Sequence, residues 1–367
     1  VQSITLLSLA AYAFFKVVKK NKVTPIDDIG IIWILLWTIY SVLPALVWLV
    51  QGGEYSIINV RHNLLGTTPE DIVYLLNLSI VCLLGFIAAY FLFLSNNNFS
   101  SIKEREIISI PLMLAAIIII LINFLIGVFF GEFSIVPKSS SYIESYEISR
   151  NLPLGIKQIS KIFSGFDFIA ALVLTTALIQ RYKTHKFLFF AVVFFYIFIN
   201  IGGSRSGLIF YLYAFFILWH VYVANVSQLK FYVLGFSSLL LFLFVGVIRN
   251  LSGGDLFFSG VGEFDQIWAN AVEILHDKEM GDLQVPIAAR FSDFYGFIPS
   301  QLLWFEKEVL SIWFMERYYP SFYEAGHGMA FGMLSEFIVG YGMIEAIAKG
   351  FMLGSVAAFL MNYLLDI

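Results

Sequence analysis

Apolar residues in this chain come in long unbroken runs separated by short polar breaks. No sustained period-two alternation is present, so strands are not expected, and the runs are too long for the helices of a soluble domain. About 20 apolar residues carry a helix across the hydrocarbon core, where it satisfies its own backbone. The pattern predicts ten such spans, at 1–18, 29–50, 70–94, 109–130, 159–180, 187–201, 208–224, 231–248, 329–346 and 347–366. The expected fold class is therefore all-α, a polytopic integral membrane helical bundle. Residues 1–248 would hold the first eight spans and 329–367 the last two. Between them, residues 249–328 form the largest stretch that does not read as spanning.

Composition agrees with that pattern. Charged residues make up 13% of the chain and hydrophobic ones 59%, at a mean hydropathy of +0.84, whereas soluble domains carry about 25% charge. The net charge of −4 matters less than where the charges lie. Lys16, Lys19, Lys20 and Lys22 follow the first span, Lys103 and Arg105 the third, and Arg181, Lys183 and Lys186 the fifth. Together with Lys230 and Lys349 they fall on one side of a ten-span topology, which the positive-inside rule makes the cytoplasm. The other side then receives the loops at 51–69 and 131–158, a break at 202–207, and the segment 249–328. The single cysteine, Cys82, lies in an apolar run and excludes an intrachain disulfide or a CxxC redox pair. The first apolar run reads as a first helix rather than a cleavable signal. The chain starts at Val1 without a methionine and stops just past an apolar run, so further helices are expected beyond its ends.

The segment 249–328 is too rich in aromatics to be a disordered linker. It carries Trp268, Trp304, Trp313, Phe291, Phe294, Tyr318, Tyr319 and Tyr323 among others. Residues 287–305 suit a helix lying along the membrane surface. Pro286, Pro299 and Pro320 divide the segment into short helices. Twelve acidic residues against five basic ones argue against nucleic acid or another polyanion as a partner. Carboxylates interleaved with aromatics fit a carbohydrate instead, with Arg290, Trp268 and Tyr319 as candidate glycan contacts.

The break itself reads Gly202-Gly203-Ser204-Arg205-Ser206-Gly207. An arginine at membrane depth costs about 2.5–3.5 kcal/mol on insertion scales and marks function by default. Glycine-rich backbone offers a nest for an anion, and the guanidinium adds a bidentate clamp for phosphate, with Ser204 and Ser206 beside it. The same residues also suit a hairpin turn whose arginine snorkels to the headgroups. Arg249 ends the eighth span at the same boundary, and two guanidiniums there match a diphosphate. His327, in Gly326-His327-Gly328 before the ninth span, has the chemistry of a general base or of a headgroup contact. Glu336, inside the ninth span, suits catalysis or an ion pair with an arginine, and Asp167 in the fifth span is a further partner for a cation. No Walker loop, Rossmann glycine pattern, HExxH or Asp-x-Asp pair occurs, so no metal or other cofactor is expected.

These residues resemble the bacterial O-antigen polymerase (Wzy-type) family of oligosaccharide repeat-unit polymerases. The likeness rests on Gly203-Ser204-Arg205-Ser206-Gly207, on Arg249, and on the long loop that precedes Gly326-His327-Gly328. Glu336 and Gly340-Tyr341-Gly342 complete it. It covers residues 187–346 in motifs and the whole chain in hydropathy. The resemblance implies a GT-C-like membrane fold shared with O-antigen ligases. It further implies inverting, metal-independent glycosyl transfer from an undecaprenyl-diphosphate-linked oligosaccharide, at the outer face of the bacterial inner membrane. Arg205 and Arg249, with Ser204 and Ser206, would hold the diphosphate, and His327, or else Glu336, would take the acceptor proton. Membrane lipid and a polysaccharide chain-length regulator are the further partners implied. An O-antigen ligase and a lipid-linked oligosaccharide flippase are the competing expectations.

Overall fold

The computed structural model describes residues 1–21, 28–50, 67–94, 108–130, 154–181, 187–194, 256–295, 308–324 and 331–366, and a few single positions between 196 and 237. In chain order the helices are α1 (Gln2–Asn21), α2 (Ile29–Val50), α3 (Pro69–Phe93), α4 (Ile110–Phe130), α5 (Leu154–Gln180) and α6 (Leu256–Glu279). They continue with α7 (Ile287–Arg290), α8 (Ser292–Tyr295), α9 (Leu310–Tyr318), α10 (Pro320–Glu324), α11 (Met333–Val339) and α12 (Met343–Asp366). No strand occurs among the described residues. Three helices, Ile29–Val50, Pro69–Phe93 and Met343–Asn362, are long and apolar enough to cross a bilayer. The chain is a helical membrane protein to that extent. The expected spans six, seven and eight lie mostly outside the described residues.

The helices gather into two units, residues 1–100 with 261–367, and residues 101–260. In the first unit, α3 has the clearest start signal. Thr68 caps it, with Asp71 N–H donating to Thr68 Oγ1 at 3.3 Å and Thr68 N–H donating to Asp71 Oδ2 at 2.7 Å. This reciprocal box satisfies two amide donors of the first turn, and Pro69 at the first helical position has no N–H to leave over. An aromatic ladder locks α2 to α3. Trp33 stacks on Trp37 at 5.4 Å and on Phe86 at 3.9 Å, and Trp37 Nε1 donates to Ser79 O at 3.1 Å. Pro44 sits inside α2, where its missing donor is tolerated because neighbouring helices surround it.

α12 packs along α3 through glycine. Gly350 rests on the Cys82 carbonyl and Gly354 on the Phe86 carbonyl, leaving no room for a Cβ at either position. Further along, Asn362 Nδ2 donates to Phe93 O at 2.8 Å. These contacts advance in the same direction on both helices, so α12 runs parallel to α3. Small residues of this kind let two backbones approach closely where lipid supplies no hydrophobic drive.

Several expectations are corrected here. Residues 329–346 do not form a span: α11 has 7 residues, about 10 Å of helix. The chain breaks at Gly340-Tyr341-Gly342, and the last long helix starts at Met343 rather than 347. Because α12 is parallel to α3, Lys349 lies six residues into it, toward the Thr68 end, and so away from the end of the third span that Lys103 and Arg105 follow in the sequence. Residues 287–305 begin as two four-residue helices with a break at Phe291, not as one surface helix. Moreover, part of the expected outer loop is core: on α6, Trp268, Ala271, Val272 and Ile274 are fully buried against the first unit.

In the second unit α4 and α5 are antiparallel. Gln180 Oε1 accepts from Ile108 N–H at 2.9 Å at one end, and Asn123 Nδ2 donates to Asp167 Oδ1 at 3.1 Å toward the other. Phe189 and Tyr211 fill the core beside them.

Gly350→Leu should drive a side chain into the α3 backbone. We expect a lower thermal midpoint in detergent, equivalent to about 1–3 kcal/mol of overpacking. Val356→Leu, at a position 50% exposed on the same helix, should leave the midpoint unchanged.

Candidate functional site

Of the residues singled out in the sequence, Arg205, Arg249, Ser204, Ser206 and His327 lie outside the described residues. Glu336, Asp167, Arg290, Trp268 and Tyr319 are described, and they fall in separate settings.

Glu336 belongs to a charged cluster at the break between α11 and α12. Lys349 Nζ sits 2.9 Å from Glu336 Oε2 and 2.9 Å from Glu345 Oε1. Glu345 and Lys349 are one turn apart on α12, a spacing that puts opposite charges side by side. Glu345 also accepts the Tyr341 N–H at 3.0 Å, so it holds the break as well as the lysine. From α6, Lys278 Nζ donates to the carbonyls of Ile338 and Gly340, which no longer have a helical partner. Burial pushes the Lys278 ammonium below its ordinary pKa, the charge of Arg290 adds to this, and Glu345 opposes it. Gly342, at φ 64°, turns the chain into α12. A β-carbon is disfavoured in that left-handed region.

The cluster answers one question the sequence left open. Glu336 is paired, and its cation is Lys349, not an arginine, among the described residues. A carboxylate held at 2.9 Å by an ammonium is fixed in orientation by it, which suits electrostatic support more than proton abstraction.

A second set of polar contacts ties α6 to the same end of the bundle. His276 Nε2 lies 3.0 Å from Asp71 Oδ2, the carboxylate that also closes the α3 cap. Arg317 Nη2 donates to Asp277 Oδ2 at 3.2 Å and to Asp282 O at 2.7 Å, and Tyr318 OH donates to Asp277 Oδ2 at 2.6 Å. Burial, reinforced by Asp277, raises the Tyr318 hydroxyl above the ordinary tyrosine pKa, so it remains a donor.

Two of the candidate glycan contacts are corrected by burial. Trp268 is fully enclosed, and its indole N–H donates to Tyr40 O at 3.2 Å. Tyr319 is 3% exposed; its hydroxyl donates to Asn270 Oδ1 at 2.6 Å and accepts from Gln266 at 3.1 Å. Both rings serve the core and present no face to a ligand. Arg290 is exposed at the end of α7. Asp167 belongs to the second unit, where Asn123 and the Tyr196 hydroxyl are its hydrogen-bond partners.

The sequence reading missed Asp71, His276, Lys278 and Glu345. Thr68-Pro69-Glu70-Asp71 is a legible helix start, and Glu345 with Lys349 is a legible one-turn pair. Nothing local announces that His276 meets a carboxylate 205 positions away.

Lys349→Met should leave two carboxylates facing each other in the bundle and destabilise it by about 3–5 kcal/mol, read as a lower thermal midpoint in detergent. Adding Glu336→Gln and Glu345→Gln should recover most of that loss, because the charges then vanish together. No family model matches the chain, and neither a curated protein nor a solved structure shows significant similarity to it.

Proposed function

We propose that the chain is a membrane glycosyltransferase that polymerises undecaprenyl-diphosphate-linked oligosaccharide repeat units at the outer face of a bacterial inner membrane. The full bundle in this reading has ten or so helices of GT-C-like arrangement, with the Thr68 end outward. The observation that carries it is the charged break at 340–342, which follows Gly326-His327-Gly328 by a dozen residues. A purely structural membrane protein gains little from placing Glu336, Glu345, Lys349 and Lys278 at one end of an apolar bundle, since withdrawing even paired charges from water is costly. An enzyme acting on a polar glycan carried by a lipid needs such an end.

In the reaction, a sugar hydroxyl of one lipid-linked unit attacks the anomeric carbon of another, with inversion. The new carbon–oxygen bond forms as the bond to the diphosphate breaks. Undecaprenyl diphosphate leaves with the electron pair, and His327 takes the hydroxyl proton. Arg205 and Arg249, with the Ser204 and Ser206 hydroxyls, stabilise the charge that develops on the leaving diphosphate. Glu336 acts through Lys349 and keeps the break in place rather than serving as the base.

The discontinuity at 340–342 also favours a second reading, a transporter of the same lipid-linked glycan, because interrupted helices line many transport sites. A reconstituted assay with purified lipid-linked repeat units separates these readings. Polymer ladders are expected from the wild type. Arg205→Lys and Arg249→Lys should each abolish the ladder, since an ammonium lacks the bidentate fork. His327→Ala should retain donor binding and lose about 10²–10⁴-fold in turnover. Movement of single units across the bilayer without a ladder would establish the transporter. Transfer only onto a lipid A core acceptor would establish a ligase.

A further inference from the structure

The charged break borders a groove that none of the roles above uses. It is about 430 Å³ in volume and is lined by Pro69, Glu70, Val73, Tyr74 and Asn77. Glu70, Tyr74 and Asn77 share one stripe of α3, at helical spacings of four and three. They present a carboxylate, a phenol on an aromatic face, and an amide over about 10 Å of helix, the reach of a disaccharide. Glu70 takes no part in the α3 cap, which Asp71 closes. Gly342 lies beside this stripe: an added Cβ there would stand 3.4 Å from the Tyr74 hydroxyl.

We propose that this groove is a glycan subsite taking neutral, hydroxyl-rich sugar units of the acceptor chain, an inference that rests on the glycosyltransfer reading. Its chemistry favours this occupant. A carboxylate accepts two hydrogen bonds from vicinal hydroxyls, an amide both donates and accepts, and a tyrosine ring covers the apolar face of a pyranose. The Glu70 carboxylate repels a phosphate headgroup or a diphosphate, so a phospholipid is disfavoured at the same place.

The test uses the full chain in nanodiscs and the oligosaccharide freed by mild acid from the host's own lipid-linked units. Glu70→Gln and Tyr74→Ala should each weaken its binding about tenfold or more, as loss of a charged hydrogen-bond acceptor or of a stacking face predicts. Tyr74→Phe should bind nearly as the wild type, because the ring remains, and it controls for folding. In the polymerisation assay the same two variants should raise the KM for acceptor and leave kcat unchanged. Unchanged binding and KM in both variants, with ladders still made, would overturn the subsite and leave the glycosyltransfer reading standing. Weakened glycan binding in variants of a protein that makes no ladder from any unit would keep the subsite and overturn that reading. Displacement of the oligosaccharide by phosphatidylglycerol, to the same extent in Glu70→Gln and wild type, would mark the groove as a headgroup contact and overturn the subsite.

Discussion

Everything at the Thr68 end of the first unit depends on how closely α12 lies against α3. With Gly350 and Gly354 seated on the carbonyls of Cys82 and Phe86, the rotation and height of α12 are fixed to within a side chain's width. Lys349 precedes Gly350, so it is turned about 100° from the contact face and cannot point into α3. Its ammonium reaches instead across to Glu336 on α11 and back one turn to Glu345. A packing constraint among residues with no side chain thus decides where the charges go. Were α12 held further away, the lysine could reach the bilayer surface by itself, and the carboxylates would lose their cation.

The electrostatics that result are local and nearly balanced. Two carboxylates share one ammonium, and the freed carbonyls of α11 take a second ammonium from α6. α6 delivers three charged or titratable side chains to this end, His276, Asp277 and Lys278, each to a different partner. None of these partners is close in sequence. A helix whose middle is apolar and whose last turn is charged fits this position: Trp268, Val272 and Leu275 fill the core while the final turn binds polar groups. Gly281, just past the helix end, lets the chain turn back toward α7.

Much of the helical content was legible because long apolar runs admit few alternatives. The starts of α2 and α3 fall within a residue of the hydropathy boundaries, and α3 is announced by its cap. Two features were not legible, for identifiable reasons. Residues 329–346 are apolar enough to span, yet Gly340 and Gly342 break the helix, and hydropathy does not register a glycine break stabilised by a distant lysine. α6 contains Asn270 and Glu273, polar enough to read as a loop helix, yet both are buried, and Asn270 is held there by the Tyr319 hydroxyl and the Gln266 amide. Of the candidate site, Glu336 was legible as a lone carboxylate in an apolar run. Its partner was not, because pairing with Lys349 depends on a turn between two helices that the sequence presents as one span.

The same break brings a cluster of paired charges close to the groove on α3. The chain turns at Gly342, with its N–H bound to Phe337 O at 2.8 Å, and a Cβ added there would stand 3.4 Å from the Tyr74 hydroxyl. Tyr341 swings outward and is 73% exposed, while its amide is retained by Glu345. Charges gather on the α6 and α12 side of the turn, where they neutralise one another. The α3 side keeps a surface of acceptors and one aromatic ring. One three-residue turn therefore separates a cluster of paired charges from the stripe of Glu70, Tyr74 and Asn77 on α3.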